Sequence, residues 1–152
     1  MTTEYPKTTG PYFSAALICE KVLTEVDGSK SAIRIIDRLN RQIHGQMEMQ
    51  PFEYPLTILI RFKSGSARGT MTLQIQVAKP SFESTPPIQI PVLFEGDEDR
   101  GVDVVLNLNM KFEHTGIYWF EVRLDNIFVT KIPLRIVYMP LIMQPQAGGG
   151  SQ

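Results

Sequence analysis

One cysteine, two histidines and one tryptophan are all that the 152 residues hold of these three types. Cys19 alone cannot close an internal bridge. A secreted β-rich domain of this size would often carry a disulfide, so the expected compartment is reducing, and the cytoplasm is the default. His44 and His114 stand far apart, neither with a further His, Cys or carboxylate at metal spacing, so neither a zinc site nor a cofactor is expected. No apolar run approaches the roughly 20 residues that cross a bilayer. The opening Met1-Thr2-Thr3-Glu4-Tyr5-Pro6-Lys7 lacks the basic-then-apolar pattern of an export signal. A surplus of charge is missing too: 15 basic against 16 acidic side chains give a formal net charge of −1. That balance argues against nucleic acid as the main partner and gives no reason to expect an anionic membrane surface.

What is present is an ordinary globular composition, 43% hydrophobic and 20% charged, long enough for one domain with a real core. Residues 1–11 read as an extended lead-in, 12–140 as the folded domain and 141–152, with Gly148 to Gly150, as a flexible tail.

Within the domain the dominant signal is alternation with a period of two. Phe13 to Thr24 and Ser31 to Leu39 are β-rich and flank Asp27-Gly28, a strong hairpin signal. Both carry apolar residues at adjacent positions (Ala15 to Ile18; Ile33, Ile35, Ile36), so both of their faces are expected to be covered. Residues 40–54, with Gly45, Met47, Met49 and Pro51, have no period and read as a connection between sheets. Clean inward rows follow: Leu56, Ile58, Ile60, Phe62; Met71, Leu73, Ile75, Val77; Ile88, Ile90, Val92, Phe94; Val102, Val104, Leu106, Leu108, Met110. Pro91 lacks a ladder donor, which places its strand at a sheet edge. Asp125-Asn126 is a tight turn into a last strand, Ile127 to Tyr138.

Between those rows lies the most informative stretch, Phe112 to Leu124. A turn ends at Gly116, and Tyr118, Phe120, Val122 and Leu124 then share one face. A Gly followed two residues later by Tyr is how immunoglobulin-like sandwiches open a strand whose Tyr hydroxyl ties back to the preceding corner. The expected fold is therefore all-β, an immunoglobulin-like antiparallel β-sandwich of about eight strands. Phe120 and Leu106 should be almost fully buried.

Gly116 to Asp125 with Ile132-Pro-Leu-Arg-Ile-Val137, Leu17 to Val22 before the Asp27-Gly28 turn, Arg61-Phe-Lys-Ser-Gly65 with Ala67-Arg-Gly69, and Leu93-Phe-Glu-Gly96 before Arg100-Gly-Val102 carry a closer likeness. Together they resemble an uncharacterised family of small stand-alone bacterial proteins, from Phe13 to Tyr138. The resemblance implies an immunoglobulin-like sandwich and supplies no activity. Phe120 stands where a true immunoglobulin domain has its second disulfide cysteine.

No reaction centre assembles from the remaining residues. Glu20 and Asp37, in facing strands, could form the carboxylate pair of a glycosidase, but cross-strand ion pairing with Lys21, Arg34 and Arg38 accounts for them more simply. Cys19 as a nucleophile lacks a base and reads as a buried, inert thiol. Asp97, Glu98, Asp99 and Asp103 could offer oxygens to calcium, yet lack the spacing of a calcium loop and surround Arg100. A solvated hairpin loop is expected there. Gly65 and Gly69 beside Lys63 and Arg68 suggest phosphate only superficially, because no helix follows.

The least ordinary feature is the outward face of the last two strands, where regular alternation puts Ile117, Trp119, Ile127, Val129 and Val137. An exposed Trp among β-branched residues fits a protein partner or a second copy. Cover by residues 40–54 or by the N-terminal segment would equally suit it. The chain thus reads as a non-enzymatic cytoplasmic binding or assembly module. Its rivals are a calcium-assisted carbohydrate- or ligand-binding domain and a carboxylate-pair hydrolase.

Overall fold

In the computed structural model, which describes residues 10–44 and 48–141, the chain is all-β. The strands are β1 (Tyr12–Thr24), β2 (Lys30–Ile35), β3 (Arg38–His44), β4 (Phe52–Lys63), β5 (Arg68–Ala78), β6 (Ile88–Glu95), β7 (Gly101–Phe112), β8 (Gly116–Leu124) and β9 (Ile127–Leu141). They form a four-stranded sheet, β2-β1-β4-β7, and a five-stranded sheet, β3-β9-β8-β5-β6. Most of the expected lead-in and nearly all of the expected tail lie outside the described residues.

The inward rows behave as alternation demands. Ile58, Ile60 and Phe62 of one sheet share a buried cluster with Leu73, Ile75, Tyr118, Phe120, Val122 and Leu134 of the other. Edge-to-face ring pairs tie this core across the layers: Phe112 with Tyr118 at 4.9 Å and Phe62 with Phe94 at 5.9 Å. The turn at Asp27-Gly28 closes the β1–β2 hairpin as expected. Gly28 takes φ +89°, where a Cβ would be strained, and Ser29 N donates to Asp27 Oδ1 at 2.9 Å.

Prolines sit where the ladders leave room. Pro91 lies in edge strand β6, as its missing donor requires. Pro55 and Pro133 are in central strands, but β1 reaches β4 only from Thr57 and β3 reaches β9 only from Arg135, so each proline has one paired neighbour.

Four expectations need correction. The segment Ser31 to Leu39 is not one strand: after Ile35 the chain leaves the first sheet, and β3 joins the second, parallel to β9. Adjacent apolar residues hid the crossing, because a chain leaving one sheet for the other is apolar on both sides. Residues 40–54 are accordingly not a plain connection; their first part belongs to β3, their last to β4, and 45–47 lie outside the described residues. The acidic loop is not a hairpin loop, since β6 and β7 belong to different sheets. Finally, Phe120 is fully buried but Leu106 is only half-buried. Leu106 points inward on β7, an edge strand, where, among the described residues, one flank has no neighbouring strand to cover it.

Candidate functional site

The Tyr118 corner is the best-defined local device. Tyr118 is fully buried, and its hydroxyl accepts the backbone N–H of Glu113 and of His114, both at 3.1 Å. Two donors in the turn before β8 thereby find a partner that the ladder cannot supply. His114 is held by its backbone as a turn residue. His44 ends β3. Among the described residues no group of three His, Cys, Asp or Glu side chains converges on a possible metal position.

Glu20 and Asp37 are not brought together as a pair. Glu20 bonds Arg34 at 3.4 Å on an exposed surface, whereas Asp37 lies in the crossover between β2 and β3 and its carbonyl accepts Arg135 N at 3.5 Å. The acidic loop is drawn inward by its backbone. Gly65 N donates to Glu98 O at 3.2 Å, Ser64 N to Arg100 O at 2.8 Å, and Lys63 Nζ to Asp99 O at 3.0 Å. Arg100 bridges to Glu95 at 2.8 Å, and Asp103 bridges to Arg61. Lys63 and Gly65, considered above for phosphate, are thus engaged with this loop.

The five residues of the expected outward face separate into two places. Ile117, Trp119 and Val137 do lie on the outer face of the five-stranded sheet and are half-buried. Ala78 and Pro133 flank Trp119 in register, and Lys131 Nζ lies 4.3 Å from the ring centre. That cation over the π face is the ring's outer cover. Ile127 and Val129 are elsewhere. A register shift between Val122 and Arg123 reverses the phase of β9, so that Val129 packs against the core. Ile127, 70% exposed, lines a groove at the open end of the sandwich with Phe13, Phe62, Met71 and Phe128.

A second outer face, on the four-stranded sheet, was not singled out by alternation. Leu17, Leu59 and Val105 form one cross-strand row, and Ile35, Cys19, Thr57 and Asn107 form the next. Ile33, opposite Lys21, and Leu23 continue it along β1 and β2. Leu59 and Cys19 are buried within this face, while Ile33 and Ile35 are 44% and 59% exposed at its rim. Burial pushes the Cys19 thiol above its ordinary pKa, only partly offset by its contact with the Lys21 carbonyl at 3.5 Å. The signal for this face was the doubled apolar pattern of β1 and β2, which implies cover on both sides.

No curated protein is similar to the chain at a significant level. Among solved structures, the crystal structure of a β-glucosidase from Listeria innocua is similar over 86% of this chain, at 11% identity and a TM-score of 0.41. The chain spans 17% of that enzyme's length. Residues 14–137, spanning both sheets, match a family of unknown function, DUF6941, and the chain belongs to that family.

Proposed function

We propose that this protein is a non-catalytic protein-binding or assembly module of the cytoplasm, built on an immunoglobulin-like sandwich. The apolar outer face of the four-stranded sheet carries the reading. Leu17, Ile33, Ile35 and Val105 surround the buried Cys19 and Leu59 on this face, next to the Arg61–Asp103 ion pair. Large apolar patches with a polar rim are where protein partners dock. The immunoglobulin assignment is supported by the Tyr118 corner and by the β9-β8-β5-β6 neighbour order with β3 parallel to β9. The single, buried cysteine supports a reducing compartment.

The rival readings draw less support. A hydrolase would need Glu20 and Asp37 across one cleft, but Glu20 bonds Arg34 and Asp37 lies in the crossover. A calcium-dependent lectin would need free oxygens in the acidic loop, yet the carbonyls of Glu98, Asp99 and Arg100 already accept internal hydrogen bonds. Photo-crosslinking decides the matter: a photoreactive residue at position 35, in the cells of origin, should give a discrete protein adduct. The same probe at Lys79 should not. Equal labelling at both positions, or no adduct at position 35, overturns the proposal.

A further inference from the structure

Strand edges are templates for further strands, and proteins normally block them. Of the four edges here, three are blocked. Strand β2 is short, and Arg34 leaves the extended region at φ +55°. Strand β6 carries Pro91 at its middle. Strand β3 carries Arg38 and Arg41. The fourth edge, β7, is neither short nor interrupted, and its two charged residues, Asp103 and Lys111, are opposite in sign. It runs 12 residues, contains no proline and no positive φ, and pairs with β4 from Gly101↔Lys63 to Phe112↔Phe52 without a register shift. Among the described residues, no strand pairs with its outer flank. Its inward residues Val102, Leu106, Leu108 and Met110 remain half-buried.

We infer that β7 pairs antiparallel with β7 of a second copy of this chain, across a two-fold axis at Asn107. The strand's own charges select that occupant and that register. Asp103 and Lys111 are its charged residues and lie symmetrically about Asn107. With Asn107 facing Asn107, Asp103 of each copy opposes Lys111 of the other. Leu106 then opposes Leu108, Val104 opposes Met110, and Val102 opposes Phe112 along the inward row. A slip by one residue would put inward side chains opposite outward ones. Moving the axis one residue towards Lys111 sets Asp103 against Glu113, and moving it the other way sets Lys111 against Gly101. The pairing converts two four-stranded sheets into one continuous sheet and covers the half-buried row.

The dimer uses the backbone edge of β7, whereas the exposed rim of the outer face, Ile33 and Ile35, lies on β2 at the opposite edge. Substitutions at Ile35 and at Lys111 therefore separate the two readings, although Val105 borders both. Sedimentation velocity and light scattering over a wide concentration range read it directly. The wild-type chain should be a dimer, and Ile35→Glu should remain one. Lys111→Asp places like charges opposite each other and should weaken the dimer about tenfold or more, with an unchanged circular dichroism spectrum. Mixing Lys111→Asp with Asp103→Lys should restore association, since both cross-strand pairs are then opposite in sign. In a Cys19→Ala background, Asn107→Cys should form an intermolecular disulfide on mild oxidation and Asn109→Cys should not. A monomer at all concentrations overturns the inference. So does a dimer that tolerates Lys111→Asp and fails to crosslink through position 107.

Discussion

Lys131 Nζ stands 4.3 Å from the centre of the Trp119 ring, on the outer face of the five-stranded sheet. The chain's one tryptophan therefore reports on a defined neighbour. Lys131→Ala should shift Trp119 emission to longer wavelength and lower stability by about 0.5–1 kcal/mol, the usual worth of such a pair at an exposed site. Trp119→Glu should leave the monomer folded; unfolding by that variant would assign Trp119 a core role that its position on the outer face does not give it.

Tyr118→Phe keeps the buried ring and deletes the acceptor shared by Glu113 and His114. Two backbone donors lose their partner, and the expected cost is about 1–3 kcal/mol in denaturant unfolding. Amide exchange at Glu113 and His114 should accelerate at the same time. A loss within experimental error would mean that water replaces the hydroxyl at no cost.

The two inward residues Phe120 and Leu106 should respond unequally to truncation. Phe120 is fully buried and central, so Phe120→Ala should cost about 3–5 kcal/mol. Leu106→Ala, on half-buried edge strand β7, should cost less than half of that in the monomer. Equal losses would show that the edge is covered as completely as the centre.

Cys19 supplies a pH prediction. Its folded pKa is raised by burial above the ordinary value of 9.0. Below that value the thiol is neutral in both folded and unfolded chains, and stability is unaffected by it. Above it the unfolded chain loses its proton first, so unfolding becomes easier as pH rises. Wild-type stability should therefore fall from about pH 9 upward more steeply than that of Cys19→Ala. A thiol-specific reagent should react with Cys19 only on unfolding. Fast labelling of the native protein would contradict the burial.

The alternation of residues 56–124 carried most of the fold, because each half-buried strand repeats the same choice of side at every second residue. Tyr118 was legible for the same reason, its hydroxyl being the polar end of an inward residue next to a turn. Three features were not legible, each for its own cause. The passage from β2 to β3 hid in Ile33, Ile35 and Ile36, since a segment that serves two sheets shows no single polar side. Ile127 and Val129 leave the face that a fixed period gives them because the shift between Val122 and Arg123 adds a residue to β9. Leu106 pointed where alternation said but was less buried than expected, because periodicity reports direction and not how many neighbours stand alongside. The apolar rows around Cys19 were visible as composition, yet only the pairing of β1, β2, β4 and β7 gathers them into one surface.

The two-residue crossover at Ile36 and Asp37 joins the sheets on the β2–β3 side, whereas on the other side β7 is joined to the second sheet through the Gly96–Arg100 loop and the short turn into β8. The sandwich can be likened to a book with its spine at β2–β3 and its fore-edge at β6–β7, where the inward row of β7 is only half-buried. Breathing motions should part the pages at the fore-edge, admitting solvent first beside Leu106 and Leu108 and last beside Ile18. A ligand, a protease or a chaperone seeking the interior would meet the same asymmetry. Whatever seals the fore-edge controls how often the book falls open.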